Sequence, residues 1–143
     1  METCLARIII NDSPRAKIFI EKALSCHISS PFAGIVVADQ DGQILGAVIL
    51  NNFEPRLTVD LTVAGRGAFG IREVRMVARY IFEQLGVQRI TAVIRPDNYR
   101  ALRTLVSLGF KSEGVLRRRY KDCDGLLFGI TREEQRAIRL KDG

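Results

Sequence analysis

The strongest constraint on the fold is a strand, a glycine turn, a helix and a second strand in succession between residues 57 and 94. In "RLTVDLTVA" apolar and polar residues alternate, which is typical of a strand with one buried face. After "GRGAFG" the apolar residues recur at helical spacing, and "RITAVI" predicts the next strand. The helical positions are Val74, Val77, Ala78, Ile81 and Leu85.

The residues before this unit predict a strand, a helix and a hairpin. "LARIII", residues 5–10, reads as a strand, and a helix follows with Ser13 as its N-cap and Pro14 in its first position. Residues 34–50 predict a hairpin that turns at Asp41-Gly42, because this dipeptide suits a tight two-residue turn. Asn51 and Asn52 read as the loop after it, and Gly86 as the end of the long helix.

The residues after the unit predict a capped helix and a second hairpin. Asp97 is placed to cap a helix from Asn98 to Leu108, and Gly109 to end it. "EGVLRRRY" and "LLFGITR" read as two strands around "KDCDG", in which the arginines protect a strand edge or form a binding patch. Thr131 and Glu134 have capping-box spacing, which predicts a short terminal helix.

The predicted order is β, α, β, β, β, loop, α, β, α, β, β, with no repeat, linker or low-complexity segment. Strands that alternate with helices in this way favour one mixed sheet covered by helices. We therefore predict a single domain of the α/β (α+β) class over residues 1–143, a usual length for one domain.

Composition narrows the class of protein further. No apolar run is long enough to span a membrane and the N-terminus does not resemble a signal peptide, so we expect a cytoplasmic protein with no membrane partner. Cys4, Cys26 and Cys123 are scattered and His27 is the single histidine, so no metal site is predicted. The formal charge is +6, and most of the 22 basic residues are arginines, which makes an anionic partner plausible.

The glycine turn between residues 65 and 70 is a candidate anion site. The first amides of a helix lack internal partners and carry partial positive charge, and glycines let a phosphate approach them closely. Gly65, Gly67 and Gly70 supply this freedom, while Arg66 and Arg72 flank the turn. The spacing fits neither a Walker loop nor a dinucleotide fingerprint, so a plain tight turn stays an alternative interpretation.

The segment "DNYRALRTLVSLGFKSEGVLR" resembles the final motif of the GNAT acetyltransferases, and "FEQLGVQRITAVIRPDN" and "LLFGITREE" are similar to further segments of that family. The resemblance covers residues 57–136 and is closest to the branch that acts on protein N-termini and to small phage-encoded relatives. It implies a sheet that is mostly antiparallel, with a splayed central pair of parallel strands at residues 57–64 and 89–95.

The resemblance also implies acetyl-coenzyme A as co-substrate. Its pantetheine arm is expected in the gap between the two parallel strands, along Leu61 and Val63, and its pyrophosphate on the amides that open the following helix. The cofactor-binding residues implied in this way are Leu61, Val63, Gly65, Arg66, Gly67, Gly70, Ile71, Arg72 and Asn98. The glycine turn departs from the family's usual loop in spacing, so its phosphate-binding amides are inferred from position.

The reaction implied is transfer of an acetyl group to a primary amine, on a small molecule or a protein N-terminus, by direct attack in a ternary complex. Many members carry a tyrosine four residues before the Gly-Phe pair as the acid for the leaving thiolate, but Leu105 stands there. Asp60 and Glu54 are the candidate bases, and each has a structural role as its alternative. Tyr120 is the candidate acid, with Tyr99 and Tyr80 as other options.

A module of the same fold that has lost catalysis is the alternative function. Its arginines would then bind nucleic acid or a protein partner, although a low aromatic content with no tryptophan makes RNA binding the less favoured interpretation. A homodimer is compatible with the sequence, which carries no signal for the oligomeric state. The acceptor amine has no readable motif either.

Overall fold

The computed structural model describes residues 8–65 and 67–139 of the chain. Its elements follow the predicted order, so the mixed α/β prediction is confirmed. They are β1 (Ile8–Asn11), α1 (Ser13–Leu24), β2 (Phe32–Ala38), β3 (Ile44–Glu54), β4 (Thr58–Ala64), α2 (Ile71–Arg79), β5 (Arg89–Ile94), α3 (Tyr99–Leu108), β6 (Lys111–Leu116) and β7 (Gly125–Thr131). Residues 5–7 of the first predicted strand, and Cys4, lie outside the described residues.

Residue contacts divide the chain into two compact units. The first comprises Met1–Asn52 and Thr62–Val74, and the second comprises Phe53–Leu61 and Arg75–Gly143. In the first unit β2 lies between β1 and β3 and pairs antiparallel with both. Helix α1 packs on β2 at Gly34, where a Cβ atom would lie 2.5 Å from that of Ala16. The buried cluster of this unit comprises Ala16, Ile20, Ile28, Val36, Ala47 and Ile49.

Helix α1 begins one residue earlier than predicted, at Ser13 instead of Pro14. Asp12, not Ser13, is the N-cap, and its carboxylate accepts a hydrogen bond from the Arg15 amide at 3.1 Å. The Ser13 hydroxyl instead accepts from the Gly34 amide at 3.0 Å, which ties the helix to β2. The prediction of Ser13 as the cap was wrong because this tertiary bond uses its side chain.

The first hairpin has a wider turn than predicted. The strands are joined through residues 39–43, and the Asp39 carboxylate accepts from the amides of Asp41 and Gln43, both at 2.9 Å. Gly42 has φ +83°, whereas Asp41 is not among the residues with positive φ, so the two-residue turn was wrong. The predicted loop at Asn51 was also wrong, because β3 continues to Glu54.

The second unit contains the parallel strand pair. β4 pairs parallel with β5 from Thr58 opposite Arg89 to Leu61 opposite Ala92. β7 then pairs antiparallel with β5 on one side and β6 on the other, so the order is β4-β5-β7-β6. The prediction of a mostly antiparallel arrangement with one parallel pair is therefore confirmed.

Helix α2 changes geometry before its predicted end. The α-helix stops at Arg79 and continues as a π-helical turn over Tyr80–Gln84, in which the Leu85 amide bonds to the Tyr80 carbonyl at 2.9 Å. The α-helical and π-helical segments, with 9 and 5 residues, form one continuous helix of 14 residues, which is longer than α1, with 12. Gly86 takes the expected left-handed conformation after it, with φ +67°.

Helix α3 is capped by Asn98 and not, as predicted, by Asp97. The Asn98 side-chain oxygen accepts from the Ala101 amide at 3.2 Å. At the other end Gly109 is left-handed, with φ +106°, and the Phe110 amide bonds to the Leu105 carbonyl at 3.0 Å. The predicted glycine stop is confirmed, and Asn98 acquires a structural role that the sequence did not indicate.

The second hairpin is confirmed, with two corrections. β6 ends at Leu116, so residues 117–120 lie in the loop between β6 and β7 and do not protect a strand edge. Thr131 and Glu134 do bond to each other, through the hydroxyl at 2.9 Å and the Thr131 amide at 3.1 Å. The residues described after them, 132–139, form turns, so the predicted helix is not found there.

Candidate active site

The glycine turn of the first unit leads from β4 into α2. Gly65 has φ +128°, and a Cβ atom there would lie 2.5 Å from the Leu45 carbonyl oxygen. Gly67 has φ +67° with nothing within 4 Å of its Cβ position, so its outer side is open. The first described bond within the helix joins the Val74 amide to the Gly70 carbonyl, which leaves the Ile71 amide without an intrahelical acceptor. The turn thus combines close backbone packing with helix-terminal donors.

A buried carboxylate occupies part of this helix terminus. Glu73 is only 4% exposed, and it accepts a hydrogen bond from the Gly70 amide at 3.0 Å. Arg72 Nη1 lies 3.7 Å from the other carboxylate oxygen. Glu73 therefore satisfies one of the orphan donors and offsets the positive end of the helix dipole. The sequence interpretation missed this residue, although a glycine followed by glutamate three positions on is the spacing of a capping box.

Most of the remaining predicted coenzyme residues lie on β4, at the start of α2 or at the start of α3. Leu61 is half-buried on β4, and Val63, farther along the strand, is 38% exposed. Ile71 is 64% exposed on the first turn of α2. Arg66 lies outside the described residues. Asn98 belongs to the second unit, where its side chain caps α3.

A charged network crosses the second unit, and the candidate base Asp60 belongs to it. Asp60 is half-buried opposite Thr91 on β5, whose hydroxyl accepts from Arg89 Nε at 3.0 Å. The guanidinium of Arg89 holds both oxygens of Glu113, one of them at 2.9 Å. This ion pair raises the pKa of Arg89, and the negative charge of Asp60 contributes to the same rise. Asp60 thus interacts electrostatically with Arg89, which is a structural role independent of catalysis.

The candidate acid Tyr120 lies at the carboxyl end of β5. Its hydroxyl donates to the Val93 carbonyl oxygen at 3.4 Å. The guanidinium groups of Arg95 and Arg119 lie 5.3 Å and 5.2 Å from the ring centroid. Arg95 also binds both carboxylate oxygens of Asp122, at 3.0 Å and 2.9 Å, which lowers the pKa of Asp122. Tyr120 is therefore held at the strand end by a cluster that the sequence interpretation missed.

The other candidate catalytic residues, Glu54, Tyr99 and Tyr80, differ in how exposed they are. Glu54 is exposed at the end of β3, where its carbonyl accepts from the Leu57 amide in the turn. Tyr99 is 70% exposed on the first turn of α3, whereas Tyr80 is half-buried where the π-helical turn begins. Leu105, at the position where the resemblance implies a tyrosine, is buried.

The described part of the chain has neither a cluster of metal ligands nor a helix that could span a membrane. Across residues 8–65 and 67–139, no group of three or more His, Cys, Asp or Glu side chains could hold a metal ion. No helix within the same residues is long and apolar enough to cross a membrane.

The fold is that of solved acetyltransferases. The spermidine N-acetyltransferase SpeG chimera from Vibrio cholerae and hSSAT is 15% identical with TM-score 0.72, covering 89% of this chain and 96% of its own. The ribosomal-protein-S5-alanine acetyltransferase of Vibrio fischeri is 14% identical with TM-score 0.69, covering 91% and 95%. At this identity the similarity establishes the fold.

The family follows from a sequence match. Residues 11–111 match the family model described as the acetyltransferase (GNAT) domain, and the chain belongs to this family, whose members use acetyl-CoA as co-substrate. The expected family is thereby confirmed.

Two relatives from Bacillus subtilis (strain 168) are similar over shorter segments. The uncharacterized N-acetyltransferase YoaA is 42% identical over 52 residues, which is 36% of this chain and 29% of the relative. The SPbeta prophage-derived uncharacterized N-acetyltransferase YokL is 35% identical over 74 residues, 49% of this chain and 41% of the relative. The matches thus span less than half of each relative's length.

Proposed function

We propose that this chain transfers the acetyl group of acetyl-CoA to a primary amine, by direct attack of the neutral amine on the thioester while both substrates are bound. The observation that carries the proposal is the family match over residues 11–111, which includes the glycine turn, α2, β5 and α3. The amine belongs to a small molecule or to a protein N-terminus.

The glycine turn is the proposed pyrophosphate site. Positive φ at Gly65 and Gly67, together with the Ile71 amide at the helix terminus, supports anion binding there. Gly70 is the third glycine of the proposed site, although its amide donates to Glu73. The flanking cations Arg66 and Arg72 belong to the same proposal. These residues are compatible with a bound phosphate group. The Glu73 carboxylate already occupies the Gly70 amide, so fewer amides of the turn can donate to the phosphate.

β4 is the proposed binding strand for the pantetheine arm. Its parallel pairing ends at Leu61, whereas the strand itself continues to Ala64. The end of this pairing supports an extended arm that bonds to backbone groups beyond Leu61 in the manner of an added strand. The Val63 amide is the candidate donor to the oxyanion that forms when the amine attacks. Asn98 is the remaining proposed coenzyme contact.

The protonation steps have three candidate residues. Asp60 and Glu54 are the proposed bases for the amine, and the exposure of Glu54 suits exchange of protons with solvent. Tyr120 is the proposed acid, although its hydroxyl already donates to Val93. The coenzyme thiolate is a tolerable leaving group without full protonation, because its conjugate thiol has a pKa near that of free cysteine, ~8.5. Orientation of the two substrates supplies the larger effect, since it offsets ~7–11 kcal/mol of barrier.

The proposal is tested by binding and turnover together. Acetyl-CoA at micromolar concentration is expected to raise the melting temperature, while an RNA oligonucleotide is not. A screen of amine acceptors, including peptides with free N-termini and polyamines, is then expected to release the coenzyme thiol. A protein that neither binds acetyl-CoA nor releases thiol with any amine contradicts the proposal.

Two glycine variants make a matched pair for the phosphate site. Gly67 and Gly42 both have positive φ, +67° and +83°, and neither has an atom within 4 Å of its Cβ position. Gly67→Ala and Gly42→Ala therefore impose similar backbone strain. Weaker binding of acetyl-CoA is expected only for Gly67→Ala, because only that residue belongs to the proposed site. Equal losses in both variants mean that the strain, not the site, is responsible.

A further inference from the structure

The loop between β6 and β7 carries a dense positive charge. This basic loop, residues 117–124, contains four cations and two acids. Both acids are engaged, because Asp122 binds Arg95 and Asp124 accepts from the Arg118 amide at 2.8 Å. No ion pair within the described residues involves Arg117, Arg118, Arg119 or Lys121. The loop thus presents several cations without a carboxylate partner among those residues.

The basic loop is attached to the sheet at defined points. The Arg95–Asp122 pair binds it through two hydrogen bonds, and the Tyr120 hydroxyl bonds to the Val93 carbonyl. Within the loop the Tyr120 amide donates to the Cys123 carbonyl at 3.0 Å. Partial burial of Cys123 raises the pKa of its thiol. The Arg95–Asp122, Tyr120–Val93 and Tyr120–Cys123 bonds fix the backbone that carries the cations. Less conformational entropy is therefore lost when a ligand binds these cations.

These bonds place the basic loop at one edge of the second unit. Val93 lies near the carboxyl end of β5 and Arg95 directly follows the strand. β7 begins opposite that end, with Leu126 paired to Ile94. β5 is one strand of the parallel pair in this unit, and the carboxyl ends of parallel strands are where open α/β sheets bind ligands. An acceptor that reaches this edge meets the cations of the basic loop.

We infer that the acceptor is a primary amine carried beside carboxylate groups, such as a peptide whose free N-terminus is followed by Asp or Glu. The inference rests on the proposed function and names its substrate class. Arginine guanidinium groups match carboxylates in a bidentate fashion, which selects an acidic acceptor. A polycationic amine is repelled by the same residues, so spermidine, named as substrate of a structural neighbour, is a poor acceptor here.

Three peptides and spermidine compare the acceptor classes. The peptides share one N-terminal residue, followed by two acidic, two neutral or two basic residues. We expect kcat/KM to be about tenfold higher for the acidic than for the neutral peptide, and the preference to shrink in high salt. A free acidic dipeptide separates a small-molecule acceptor from a longer peptide. Equal rates for all peptides, or a preference for the basic peptide or spermidine, overturn the inference.

Two charge-reversed variants assign the preference to the basic loop. Arg117→Glu with Arg118→Glu is expected to abolish the preference for the acidic peptide while leaving the neutral-peptide rate within about twofold. Arg136→Glu with Arg139→Glu changes the net charge equally at two exposed residues outside the loop and is expected to keep the preference. Equal losses in both double variants, or equal losses on every peptide, overturn the inference.

A binding measurement separates this inference from the proposed function. Fluorescence anisotropy of a dye-labelled, N-acetylated acidic peptide reports binding of the product and needs no turnover. If no amine is acetylated, the proposed function fails and the inference about the acceptor fails with it. If amines are acetylated but this peptide does not bind, or the loop variant does not weaken its binding, only the inference is overturned. RNA that competes for the loop while the peptides do not bind also overturns the inference.

Discussion

Arg89 and Glu113 form a bidentate ion pair across Gly129, which lies on the strand between theirs. A Cβ atom on Gly129 would lie 2.5 Å from Glu113 Oε2 and 2.6 Å from Arg89 Nη2. β6 also has a register shift between Ser112 and Gly114, which makes Glu113 the extra residue of a bulge. The bulge in β6 and the absence of a side chain at Gly129 together let Glu113 of β6 reach Arg89 of β5 across β7. The pair lowers the pKa of Glu113.

Gly129→Ala tests this arrangement. The new methyl group displaces the ion pair, and overpacking of this kind costs about 1–3 kcal/mol in the free energy of unfolding, measurable by urea titration. In a Glu113→Ala background the methyl group has room, so the same substitution is expected to cost less. Additive effects of the two substitutions contradict a steric conflict with Glu113.

The cap of α3 gives a second prediction. Asn98→Ala removes the acceptor for the Ala101 amide and is expected to lower the free energy of unfolding by about 1 kcal/mol, whereas Asn98→Asp keeps it. Asp97→Ala is the matched control, since among the described residues its carboxylate contacts only Arg95, at 3.4 Å. A larger loss in Asp97→Ala than in Asn98→Ala contradicts the assignment. A higher KM for acetyl-CoA in Asn98→Asp, whose cap is intact, assigns Asn98 a coenzyme contact as well.

Element order and helix ends were predictable because they depend on residues close in sequence. Gly109 ends α3 as expected, since its left-handed conformation is local. Asp97 and Asn98 were harder to separate because both side chains can cap a helix. The choice follows from how the chain leaves β5, where the Asn98 amide bonds to the Arg95 carbonyl at 3.0 Å. That turn places Asn98, one residue later, at the helix terminus.

The parts of the site that were missed depend on distant residues. Glu113 meets Arg89 from 24 positions away, and the contact requires Gly129 in a third strand. Arg95 and Asp122 are 27 positions apart. No spacing rule within one element links such residues, because strand register sets the contact. Glu73 is different, since the Gly70–Glu73 spacing was readable and only its burial was not.

Glu73 leads to a prediction about the coenzyme. Glu73→Gln keeps an acceptor for the Gly70 amide but removes a negative charge from the proposed phosphate site. Binding of acetyl-CoA is expected to tighten by roughly two- to fivefold, measured by isothermal titration, in line with the energies of charges at helix termini. Glu73→Ala also loses the cap, so it is expected to be less stable. Weaker binding in Glu73→Gln, with unchanged stability, means that the carboxylate helps to hold the coenzyme.

The stability of the second unit is expected to depend on pH through Glu134. Its bond to Lys111 Nζ at 2.5 Å and those to Thr131 lower its pKa from 4.5 to about 2. Because the folded-state pKa is lowered, the stabilisation is fully present above about pH 4.5 and is lost as the pH falls through about 2.

Lys111→Met should therefore be less stable than the wild type at pH 7, and the difference should close between about pH 4.5 and pH 2. Urea titrations across this range measure it, with Lys121→Met as the control, because no ion pair in the described chain involves Lys121. A constant difference at every pH contradicts this role of Glu134.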